Sequence, residues 1–556
     1  MEAMKDVMKR LTALVVWAPL FAYGWGAGHD TVARAVAARL PAPWPARLQG
    51  ETLRQFCADS HYPDSFEPFP VERVGEAALA YLASQGVTKR YDLHSDKGRA
   101  VAFCMLVRAL SEEKPDRVLL WLSALSHSTA DMAACNHDPV VHVATYGWCT
   151  AEWGMRLPGG KPFSDVSPCL DLGWVEKEPW AKAVFEERVD ACWVKENGEA
   201  ALLEIMLYGS RGVDACAPHG PLVLDAAAEW TLTGRREAGE RLAEELSALG
   251  VWAVARTLRD FGAAVRLAQT GAVPEVTAAV LARYEVEMDA FVRTRPLSSD
   301  RFAQTALAPS QAKGTRVGVL IEPCWRMNEG MFGFADRVLA VQIVNALRRR
   351  GKRAELVDVR RFLESGADAP VLVLPAQRCG SYRTLKADAL DKRLAGYLDA
   401  GGRVVWVGGG KPPAALCRGM PKDFLVKGED KAWPVPLERF QSGTLRAVGG
   451  EERTFVRTPE GPAGWQWPRN PFTFTPEAVS QGTTLATWSC AGESKTVGLA
   501  WPKEKPRVAY VPGYAVTPYL WTDETPSLSP LRLELDAAGT KVIEAALAAL
   551  NQYAVE

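Results

Sequence analysis

The chain has 556 residues, 48% hydrophobic and 24% charged, with a net charge of −1. At roughly 100–200 residues per domain the length points to two to four domains. The composition excludes a mostly disordered, collagen-like or coiled-coil chain. A near-zero charge supplies no global basic field for nonspecific binding of nucleic acid.

The first element is the apolar run Leu11–Phe21, preceded by Met8-Lys9-Arg10 and followed by Ala22-Tyr23-Gly24. A basic start, a short apolar run and small residues at the cleavage positions predict a secretory signal over residues 1–24. The alternative is a buried N-terminal helix. No other segment reads as membrane-spanning, so the expected product is soluble and secreted or periplasmic. Eleven cysteines suit an oxidising compartment and allow disulfides in the first part of the chain. None forms a CxxC pair, which argues against a thiolate zinc site.

Apolar residues at helical spacing predict helices over His29–Leu40, Glu76–Ala83, Lys97–Glu112, Asp116–Ala134, Glu199–Tyr208 and Leu222–Leu249. Further helices follow over Val251–Val292. Tyr146–Trp193, crowded with Gly, Pro and aromatic residues, reads as a long irregular insertion. All seven histidines (29, 61, 94, 127, 137, 142 and 219) fall in this first part, so any imidazole chemistry belongs there.

Pro, Ser, Gln and Ala over residues 293–314 predict a linker. The pattern then changes. Strands are expected at Arg316–Ile321, Ala354–Val359, Pro370–Leu374 and Arg403–Val407, with helices over Phe334–Arg350 and Thr384–Ala400. Alternation of this kind predicts a parallel sheet covered on both faces. Short strands, among them Thr483–Trp488 and Arg507–Val511, dominate residues 440–515, and a helix over Ala537–Leu550 closes the chain.

The strongest chemical signal lies in Asp116–Ala134. His127 and Asp131 are four residues apart, share one helix face and can converge on one ion. A hydrogen-bonded polar pair is the structural alternative. His137 follows six residues after Asp131. Cleavage after Gly24 would give Trp25 a free α-amino group of pKa near 7.7–8.0, which a metal deprotonates readily. With its own carbonyl that amine forms a five-membered chelate, and His29 can add a third ligand. Asp59 and His61 read as solvated loop residues, and His142 as a capping or packing residue.

Taken in order, Trp25-Gly, His29, Tyr62-Pro63-Asp64, His94 and His127-xxx-Asp131-xxxxx-His137 resemble the zinc-dependent phospholipase C and single-strand-specific zinc nuclease superfamily. The resemblance covers roughly residues 25–250. It implies a helical domain over 25–292 holding up to three zinc ions. Trp25, His29 and Asp131 would hold one ion, and Asp64, His94, His127 and bridging Asp131 a second. His137 would begin a third site. The family completes that site with a His-xxx-Glu or His-xxx-Asp pair, where this chain offers Asp225 and Glu229, with His219 as a competing ligand.

Residues 315–556 resemble the class I glutamine amidotransferase-like α/β (flavodoxin-like) fold, with inserted β-strands. Active members pair a cysteine after the fourth strand with a histidine. Here that turn is Gly408-Gly-Gly-Lys-Pro, Cys379 has no visible base, and no histidine follows, so this part is expected to be noncatalytic. The resemblances together imply an exported zinc phosphoesterase, with Asp64 and Asp131 as catalytic carboxylates and a phospholipid or other phosphodiester as substrate. The altered third site carries a second reading: a glycan- or protein-binding scaffold around a degenerate metal core.

Overall fold

The computed structural model describes residues 25–134, 165–193, 202–294, 296–297, 303, 306–321, 339–375, 387–408, 412–426, 442–447, 452–456, 473–490, 492–511 and 537–551. The expected signal, His137, His142 and Cys379 lie outside them. Among the described residues no helix is long and apolar enough to cross a membrane.

The first part is helical. Its main elements are α1 (Ala27–Arg39), α2 (Gly50–Asp59), α3 (Glu76–Ser84), α4 (Asp96–Ser111) and α5 (Pro115–Ala133). They are followed by α6 (Pro179–Trp193), α7 (Tyr208–Thr233), α8 (Arg236–Gln269) and α9 (Ala278–Thr294). Proline at the first position of α5 starts the helix without losing a bonded N–H. Every residue from Val118 to Ala133 is buried, because α5 packs against α1, α2, α4, α7 and α8 at once. A helix surrounded in this way takes its stability from packing, with about 1.5–3 kcal/mol for each fully buried large apolar side chain such as Leu122 or Leu125.

Two helix expectations are corrected. The region read as an irregular insertion contains α6, whose Ala181, Phe185 and Val189 recur every four residues and are buried against α8. The break expected before Leu222 is absent. α7 runs unbroken through Pro218 and Pro221, and its Cys216, Val223, Leu224, Ala227 and Ala228 are buried. Tertiary packing here outweighs the local cost of proline. α7 stops at Gly234, whose left-handed φ of 62° suits a helix end. Cys57, Cys104 and Cys169, in the part of the chain where the composition allowed disulfides, are buried thiols.

The second part is a mixed α/β sheet of nine strands in the order β2-β1-β3-β4-β11-β10-β9-β6-β7. Strands β1 (Val317–Ile321), β2 (Ala354–Asp358), β3 (Val371–Pro375), β4 (Arg403–Val407) and β11 (Val508–Val511) are parallel. The apolar runs of β1, β3, β4 and β11 are what a sheet buried on both faces requires, while β2, with Glu355 and Asp358, forms the edge. The sheet is mixed rather than parallel throughout: β6 (Ser442–Ala447), β7 (Glu452–Val456), β9 (Thr483–Cys490) and β10 (Glu493–Trp501) are antiparallel and fall between β4 and β11 in sequence, as do β5 (Leu425–Val426) and β8 (Thr473–Phe474), which pair in a separate two-stranded sheet.

Candidate metal centre

Four elements of the helical part bring the centre together. His29 sits in the first turn of α1, and Asp64 in a short 3-10 turn, Tyr62–Asp64. His94 ends a second 3-10 turn, Arg90–His94, while His127 and Asp131 lie four apart on α5. His29, His94, His127 and Asp131 are almost fully buried, and the Asp64 side chain keeps 23% of its surface exposed.

The contacts converge on one point. His94 Nε2 and His127 Nε2 are 3.0 Å apart. Asp64 Oδ1 lies 3.3 Å from His94 Nε2 and 3.4 Å from His127 Nε2. Asp131 Oδ2 lies 3.3 Å from both imidazole nitrogens. Four ligands placed about 2.0–2.1 Å from a tetrahedral zinc would be separated by about 3.3–3.4 Å. These five edges have nearly that length.

The outer contacts settle which ring nitrogens face inward. His127 Nδ1 is 2.5 Å from the Ser60 carbonyl, and His94 Nδ1 is 2.9 Å from the Tyr91 carbonyl. Carbonyls only accept, so each Nδ1 carries a proton and each ring turns its Nε2 inward. Two imidazole nitrogens and two carboxylate oxygens then face one another, an arrangement that calls for a positive charge, either a metal ion or a proton. In the ion-free protein a proton serves: burial opposes charge on His127, but Asp64 and Asp131 outweigh it and raise its pKa to about 9. Burial tends to raise the Asp64 carboxyl, yet His127 and His94 hold it below its usual value.

Asp131 also reaches a second group. Its Oδ1 lies 3.4 Å from His29 Nε2, and His29, His127 and Asp131 form a second set whose ligand atoms lie within 4.8 Å of one another. Neither His29 ring nitrogen completes a well-formed hydrogen bond inside the core. Burial, then neighbouring His127, lowers its pKa to about 4, so this ring is neutral and ready to ligate. Both groups could hold a metal ion.

The remaining expected ligands are placed differently. Trp25 is buried just ahead of α1. Glu229 is paired with Arg235 and Arg241, and His219 Nδ1 lies 2.6 Å from Glu245. Neither residue, nor Asp225, joins a metal-holding group among the described residues. Asp59 is no solvated loop residue: it is 5% exposed and receives two hydrogen bonds from the Arg73 guanidinium, at 2.9 and 2.7 Å. His61 is half-exposed, but its Nε2 lies 3.0 Å from Asp30 Oδ1 and its ring stands edge-on to His29. The sequence offered a signal for that pair, since Asp30 adjoins one ligand and His61 precedes another by three residues.

No family model, curated protein or solved structure matches the chain.

Proposed function

We propose that the chain is an exported zinc-dependent hydrolase of phosphodiester bonds. The observation that carries this reading is the meeting of His94, His127, Asp64 and Asp131, whose nitrogen and oxygen atoms stand 3.0–3.4 Å apart along five edges. Nitrogen and oxygen ligands in that geometry suit zinc. Zinc bound there would supply Lewis acidity and a water acidified to near neutral pH.

The chain's own groups divide the remaining work. Asp131, 1% exposed, spans both groups and holds them in register. Asp64 is the carboxylate with access to solvent, so it orients the attacking water and accepts its proton. Trp25, through its α-amino group, completes the His29 side once the leader is removed.

Zinc content and hydrolysis of bis(p-nitrophenyl) phosphate test the reading together. A protein beginning at Trp25 should bind at least two zinc ions and turn the ester over, and a chelator should abolish turnover. A protein keeping a few residues before Trp25 has an amide nitrogen there, a poor zinc donor, and should bind one ion fewer. Absence of zinc and of turnover in the protein beginning at Trp25 would overturn the proposal.

A further inference from the structure

The segment carrying His29 has no cap of its own. Gly26 stands at the N-cap of α1 and offers no side chain to the free N–H groups of the first turn. The missing acceptor comes from far along the chain. Asp171 receives the Gly173 N–H at 2.7 Å, capping its own 3-10 turn Leu172–Lys177, and the same carboxylate lies against the backbone of Gly26 and Gly28, where a Cβ would stand 3.3 Å from Oδ2 and 2.9 Å from Oδ1. One half-buried side chain therefore caps its own turn and braces the start of α1 against it.

The glycines allow this close approach. A Cβ on Gly28 would lie 2.6 Å from Trp25 Cβ and 2.9 Å from Asp171 Oδ1. A Cβ on Gly173 would lie 2.5 Å from the Ala27 side chain. Any side chain at either position would push Trp25, Asp171 or α1 out of place. The His29 N–H is bonded to the Gly26 carbonyl at 3.3 Å, so whatever fixes Gly26 also fixes the backbone of the ligand.

We infer that Asp171 is a positioning residue for the His29 side of the metal centre, gripping Trp25–Gly28 so that His29 meets Asp131. This rests on the metal-centre reading above. Asp171 touches none of the ligands His94, His127 or Asp64, so its loss should be felt on one side only.

The test is zinc titration of the whole chain, made in a secreting host, against a competing chelator. Asp171→Ala should keep the ion held by Asp64, His94 and His127 and weaken the other about 10–100-fold, the effect typical of lost outer-shell support. Asp171→Asn, which keeps one acceptor oxygen, should fall between that variant and wild type. Leu172→Ala is the control, because Leu172 is fully buried beside Asp171 but packs on α8 at Gly250. It should lower the melting temperature and leave both zinc affinities unchanged. Two ions at wild-type affinity in Asp171→Ala would overturn the inference, as would the same selective loss in Leu172→Ala. A wild-type protein that binds no zinc would overturn the metal centre as well, whereas two ions in both wild type and Asp171→Ala would remove only the role of Asp171.

Discussion

His29 and His127 lie stacked, ring centroids 4.0 Å apart and 17° from parallel, while their Nε2 atoms address different oxygens of Asp131. The two histidines are therefore neighbours with unequal reach. His127 belongs to both groups that could hold an ion, and His29 to one.

Substitution should expose that inequality. His29→Ala should lower zinc content by one ion, with the remaining ion bound near wild-type affinity. His127→Ala should weaken both ions and, having emptied a fully buried position, lower stability too. Metal analysis after gel filtration, with thermal melts with and without chelator, reads both effects. Equal zinc loss in the two variants would contradict the division of Asp131 between them.

Arg99 links His94 to the surrounding helices. It is 0% exposed, and its Nη1 donates to the His94 carbonyl at 2.9 Å. Its Nη2 pairs with Asp96, which also accepts from Tyr284 of α9. Arg99→Met should cost about 3 kcal/mol, the lower end for breaking a buried pair, because the Asp96 side chain keeps 23% exposure. Arg99→Lys should recover only part, since an ammonium cannot reproduce the planar fork. Urea denaturation measures both variants, and a loss under about 1 kcal/mol in Arg99→Met would show the carbonyl and Asp96 to be rehydrated.

Asp260 sets a pH dependence away from the metal centre. It is fully buried on α8 and accepts from Tyr208 Oη at 2.7 Å, while Arg259 also donates to Tyr208 Oη at 2.7 Å. Burial raises its pKa to about 7 despite Tyr208 and Arg259. Between the unfolded value near 3.8 and the folded value the native state holds the extra proton. Its contribution is therefore complete below the unfolded pKa, falls as pH rises to about 7, and is flat beyond. Asp260→Asn keeps the acceptor for Tyr208 and removes the titration. Its stability relative to wild type should rise by on the order of 3 kcal/mol between about pH 4 and pH 8. A pH-independent difference between the two proteins would refute this assignment.

Parts of this organisation can be read directly from the sequence. The His127/Asp131 pair was legible because four residues make one helical turn and α5 keeps that period. Strands β1, β3 and β4 were legible as short, nearly continuous apolar runs. Asp171 was not, because capping another helix across a long sequence separation leaves no local pattern. Asp59 was misread for the same reason: its partner Arg73 lies beyond the next turn, and the pair is made by the fold. The continuity of α7 through Pro218 and Pro221 is likewise a property of its packing against α5 and α8, which local propensity does not record.

Strand β11 pairs with β4 on one side and β10 on the other, so among the described strands it alone joins the parallel set to the antiparallel one. Synthesis delivers these partners out of step. β4 leaves the ribosome long before Val508–Val511, and until then its apolar edge has nothing to hydrogen-bond but water or another chain. A message cut short between β10 and β11 would yield two unjoined half-sheets, each with a sticky margin. The growing polypeptide must therefore be kept from its own copies until β11 has emerged.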